Sequence, residues 1–100
     1  MTMKALWIAY DIVLDAQILA LLKKRGVVHF TRWPRLTGSG PASGPRMDDA
    51  VWPGANAMVV TVQPDETVDA LLPVLQAFRD EVSALTGIYA FTTPVLDSLR

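Results

Sequence analysis

The chain has 100 residues and a mass of 10.9 kDa, enough for one domain and too little for two. With 51% hydrophobic and 19% charged residues it is not intrinsically disordered, and with no cysteine it is neither a disulfide scaffold nor a thiolate metal site. A net charge of −1 gives no global field to recruit nucleic acid.

Met3 to Tyr10 reads as a strand ending at a turn residue, Asp11, whose carboxylate can cap a helix. Leu14, Ile18, Leu21 and Leu22 then lie on one helical face. Lys23, Lys24 and Arg25 suit the negative end of the helix dipole, and Gly26 is the natural terminator. Asp11 and Asp15 interrupt the apolar run from Ala5 to Leu22, which makes it a poor export signal and a poor membrane span. A cytoplasmic protein without direct membrane insertion is expected.

Val27 to Trp33 reads as a second strand, stopped by Pro34. Four prolines and four glycines occupy the 23 residues from Pro34 to Asn56, which predicts one long irregular segment of the kind that is functional or disordered. Ala57 to Val62 is a third strand. Pro64-Asp65-Glu66 opens a second helix with the stripe Val68, Leu71, Leu72, Leu75, Phe78 and Val82. Pro73 predicts a kink or break near residues 69–72. Ile88 to Thr93 is a fourth strand, and Pro94 begins a short tail. The order β-α-β-β-α-β predicts an α+β, ferredoxin-like sandwich: a four-stranded antiparallel sheet with two helices on one face.

The strands lack the apolar–polar alternation of a sheet with one wet face. Ala5, Trp7 and Ala9 oppose Leu6, Ile8 and Tyr10, while Tyr89 and Phe91 oppose Ile88 and Ala90. Two helices cover only one of these faces, so a second copy of the chain is expected on the other. Covering ~600 Å² of apolar area per subunit would contribute about 15 kcal/mol before association costs. Charge is also split along the chain: residues 1–46 carry +5 and residues 47–100 carry −6. Folding can mix the two halves, so this split alone predicts no charged face.

Thr37-Gly38-Ser39-Gly40 and Ser43-Gly44-Pro45-Arg46 resemble a flexible anion cradle, with Arg35 or Arg46 as the guanidinium fork. Loop flexibility explains the glycines equally well. Asp48-Asp49 reads as a solvated turn rather than a cation site. Trp33 and Trp52 bracket the segment as anchors to the body. His29 is the one histidine, and a metal site on it needs copies around an axis. No nucleophile stands with a base, so no enzyme is expected.

Thr31-Arg32-Trp33, Gly38-Ser39-Gly40, Ser43-Gly44-Pro45-Arg46, Trp52-Pro53-Gly54-Ala55-Asn56 and Ala90-Phe91-Thr92-Thr93-Pro94-Val95, in this order between helices, resemble the nitrogen regulatory P-II proteins and their PII-like relatives. The resemblance implies a homotrimer with small effectors, often nucleotides, in clefts between subunits. It also implies that residues 34–56 form a mobile T-loop that contacts a target protein, for some relatives a transporter. Gly38, Ser39, Gly40 and Arg46 would line its base, Asn56 would anchor it, and Gly87 would follow a shortened phosphate-contacting loop, Ser83-Ala84-Leu85-Thr86-Gly87. No tyrosine lies in 34–56, so uridylylation there is not expected. The CutA divalent-metal trimers, with His29 as a ligand, are the alternative of the same topology. Small enzymes of this fold, such as acylphosphatases, are a more distant one.

Overall fold

A computed structural model describes residues 2–41, 44–82 and 86–99. Strand β1 (Met3–Asp11) is central. It pairs antiparallel with β5 (Asn56–Pro64) on one side and with β6 (Ile88–Val95) on the other, in the registers Trp7↔Val60 and Trp7↔Phe91. Strand β2 (Thr31–Leu36) completes the sheet against β5, giving the order β2-β5-β1-β6. Helices α1 (Asp15–Lys24) and α2 (Asp65–Glu81) cover one face. This is the ferredoxin-like architecture that the element order predicts.

The core lies between that face and the helices. Leu6, Ile8 and Tyr10 of β1, with Ala57 and Val59 of β5, are shut against Ile18 and Leu22 of α1 and Val68, Leu71 and Leu75 of α2. Leu72 departs from the predicted stripe. One residue past Leu71, it is turned about 100° around the helix and is 36% exposed.

Asp11 accepts from the Val13 N–H (3.1 Å), capping a single 3₁₀ turn over Ile12–Leu14 that leads into α1. At the other end Val27 N–H bonds to Leu22 C=O (2.9 Å) and Gly26 N–H to Lys23 C=O (3.0 Å). Gly26, at φ +81°, supplies the left-handed residue that this double bond requires. Val27 is thereby pulled into the core instead of opening a strand, and β2 starts only at Thr31.

The predicted proline boundaries shift for one reason. Pro34 lies inside β2 and Pro94 inside β6, and both strands are sheet edges, where a missing N–H breaks no internal ladder. The ladder of β2 does shift register between Trp33 and Leu36, on either side of Pro34. Helix α2 runs from Asp65 to Glu81 through Pro73 without the predicted break. Pro73 is on the exposed side, where water can satisfy the carbonyl that its ring leaves unbonded.

The segment 34–56 is also not one irregular stretch. Strands β3 (Gly38–Gly40) and β4 (Gly44–Arg46) pair as a hairpin, with Gly38 opposite Arg46. Beyond it Met47 N–H bonds to Trp52 C=O (3.0 Å) and Asp48 N–H to Gly54 C=O (2.9 Å). Asp49 Oδ1 closes the intervening turn by accepting from the N–H groups of Val51 (3.0 Å) and Trp52 (2.6 Å).

Candidate functional site

The hairpin, the end of α2 and the approach to β6 enclose a cleft of about 710 Å³, within the range of small-molecule sites. Gly38, Ser39 and Gly40 form one wall, and Arg46 and Asn56 lie at the hairpin's root. Thr86 and Gly87 close the far side, where Gly87 C=O accepts from Asp11 N–H (2.9 Å). The position of Gly87 is thus fixed by β1.

Arg46 is 9% exposed. One terminal nitrogen lies 3.2 Å from Asp11 Oδ2, and the other donates to Asn56 Oδ1 at 3.1 Å. The Asp11 carboxylate therefore serves two elements, capping the turn before α1 with one oxygen and pairing Arg46 with the other. Gly38 closes the unit. A Cβ at this position would sit 2.7 Å from Asn56 Nδ2, so a larger residue there would have to displace the Asn56 amide from its bond with Arg46.

Five residues nominated from sequence therefore line one cleft: Gly38, Ser39, Gly40, Arg46 and Gly87. Asn56, expected as an anchor, lines it too and is bonded to Arg46. Arg35 does not line it. Its guanidinium holds Asp48 in a bidentate pair at 2.8 and 2.7 Å, so Asp48 is ion-paired instead of lying in a purely solvated turn. Asp48 carries this pair at φ +57°, and the guanidinium holds its carboxyl below the usual carboxylate range.

Trp33 stacks on Trp7 across the uncovered face, at 6.4 Å between centroids and 14° between planes. The Trp52 side chain is 48% exposed, and the residue bridges its loop through backbone groups. His29 is exposed in the stretch before β2, where its carbonyl accepts from Thr61 Oγ1 (2.7 Å). Among the described residues no group of three or more His, Cys, Asp or Glu side chains stands together. Ser43 and Ser83–Leu85, part of the sequence-level cradle and phosphate loop, lie outside the described residues.

Sequence reasoning missed Arg79, Asp80 and Tyr89 as cleft residues. Arg79 sits in the last turn of α2, where a cation is expected for the dipole alone, so periodicity gave no separate signal for it. It also missed a triad beside the cleft. Asp15 accepts from Tyr10 Oη (2.6 Å) and, bidentately, from Arg32 (3.1 and 2.8 Å). The Arg32 guanidinium holds the Asp15 carboxyl below its ordinary value, and burial pushes the Tyr10 phenol above its own. A second hollow of about 380 Å³, where Arg25 meets the first turns of α2, gathers none of the nominated residues.

No protein-family model matches the sequence, and no curated protein matches it. Solved structures do share its fold. One is CPII, a nitrogen regulatory PII-like protein from Thiomonas intermedia K12, bound to ADP, AMP and bicarbonate (TM-score 0.69, 24% identity, 95% of this chain and 96% of that one). Its apo form matches at TM-score 0.66 and 23% identity, over 95% and 92% of the two chains. A protein named for PII-like signaling, from Thermus thermophilus, matches at TM-score 0.63 and 20% identity, over 95% and 88%. The chain has the fold of the PII-like nitrogen regulatory proteins.

Proposed function

We propose that the chain is a PII-like regulatory module that binds a small anionic effector in the cleft between the hairpin and the end of α2. The observation that carries this reading is convergence. Separate stretches of sequence, 38–40, the end of α2 at 79–80 and 86–87, with the hairpin root at Arg46 and Asn56, bring glycine backbone and guanidinium groups to one hollow. Such groups hold an anion by charge-assisted and backbone hydrogen bonds. The neighbour CPII, solved with ADP, AMP and bicarbonate, supports that class of effector. In this reading the protein binds and signals without catalysing a reaction.

The working unit is a cytoplasmic homotrimer, with the uncovered sheet face turned to the other copies. The cleft then lies near a subunit boundary, and the segment 34–56 reports its occupancy to a target protein. No observation favours the CutA-like metal alternative, and His29→Ala is expected to leave zinc affinity unchanged.

Isothermal titration against ADP, AMP, ATP and bicarbonate tests the effector reading. Saturable binding of at least one of them at micromolar to low millimolar concentration is expected. Absence of heat across the panel up to about ten times those levels, an affinity weaker than about −3 kcal/mol, contradicts it.

A further inference from the structure

The arginines around the cleft are not equivalent. Arg32, Arg35 and Arg46 are each matched to one aspartate: Asp15 (2.8 Å), Asp48 (2.7 Å) and Asp11 (3.2 Å). Arg46 is also the most enclosed of them, with its donors directed at Asp11 and Asn56. An anion that recruited Arg46 would leave Asp11, itself only 16% exposed, without its counter-charge. Breaking one side of a buried pair is strongly unfavourable.

Arg79 differs. It lines the same cleft from the last turn of α2, it is exposed, and among the described residues no hydrogen bond or ion pair holds its guanidinium. Its neighbour Asp80 also lines the cleft, but one carboxylate oxygen is occupied by Gln76 Nε2 at 3.0 Å. Recruiting Arg79 requires only that its side chain be ordered, with no existing pair to break.

We infer that Arg79 is the cation that contacts the effector's charged group, while Arg46, nominated for that role by sequence, is a positioning residue that fixes the hairpin root. This rests on the reading of the cleft as an anion-effector site. The contacted group is a phosphate or a carboxylate-like oxyanion such as bicarbonate. Asp80, on the same wall, opposes it and limits affinity.

The test is titration of the wild-type protein, Arg79→Ala, Arg79→Lys and Asp80→Asn with ADP, adenosine and bicarbonate, after circular dichroism has shown equal folding. Arg79→Ala is expected to weaken the anionic ligand that the wild type binds by about tenfold or more, the effect of losing one charged hydrogen bond. Adenosine binding should change less than about twofold, since it carries no charge for the guanidinium to meet. Arg79→Lys should fall between wild type and Arg79→Ala, and Asp80→Asn should tighten the anion. Loss confined to ADP assigns the contact to phosphate, and loss confined to bicarbonate assigns it to that ion. Either supports the inference. Equal ADP and bicarbonate binding by wild type and Arg79→Ala, or an equal loss of adenosine, overturns it and leaves the effector reading standing. A wild-type protein that binds none of ADP, AMP, ATP and bicarbonate overturns the effector reading itself.

Discussion

Gly38, Asn56, Arg46 and Asp11 form a chain of dependencies in which each side chain fixes the next. A Cβ on residue 38 would push Asn56 Nδ2 aside, and with it the amide oxygen that accepts from Arg46. Gly38→Ala is therefore expected to lower stability by about 1 kcal/mol, one net hydrogen bond, in urea unfolding. It should also raise amide exchange across β3 and β4. Asp15 and Asp48 give the acid side of the stability profile. Their arginine partners lower both carboxyl values, so the stabilisation they give is complete above the unfolded aspartate value of about 3.9. It is lost as pH falls below that value through the depressed folded ones. Tyr10 has the opposite sign. Burial, aided by its bond to Asp15, raises the phenol, so its contribution is present below about pH 10 and is lost as pH rises beyond it. Urea midpoints across the acid and alkaline ranges should fall at both ends, and Tyr10→Phe should flatten the alkaline fall and also soften the acid one, since the Tyr10 hydroxyl helps to hold the Asp15 carboxyl down.

At the scale of elements, the predicted strands and helices are all present, and the misjudged boundaries have two causes. Proline marks a stop only where the ladder needs its N–H, and sequence does not say which strands will be edges. That is why β2 runs through Pro34 and β6 through Pro94. In the same way, Pro73 disrupts a helix less on its wet side. Pro73→Ala should restore a backbone bond and stabilise α2 by up to about 3 kcal/mol, read from urea unfolding. The hairpin 38–46 was hidden because three-residue strands of Gly, Ser, Pro and Arg have no apolar alternation to announce them. The cleft was legible in part. Glycines near arginines suggested an anion cradle, but only the fold shows that Arg35 is held by Asp48 outside the cleft and that α2 delivers Arg79 into it. Ion pairing between residues far apart in sequence leaves no local pattern.

At the scale of the molecule, the uncovered face is the dominant feature. Trp7 lies between Trp33 and Phe91, with ring centroids 6.4 and 5.9 Å away, and Tyr89 continues the stripe 5.6 Å beyond Phe91. Val60, Val62 and Met58 fill the same face between β1 and β2. The chain exposes 6408 Å², whereas a monomer of this mass is expected to expose about 5,600 Å². The charge split along the sequence is bridged at two points in the fold. Lys4 pairs with Asp69 and Arg35 with Asp48 across it, while the uncovered face itself offers apolar area for association. Sedimentation velocity at micromolar concentration is the direct test. Association through this face predicts a species of about 33 kDa, three copies of the 10.9 kDa chain, that Trp7→Glu converts to single chains. A wild-type protein that sediments as one 10.9 kDa chain contradicts it.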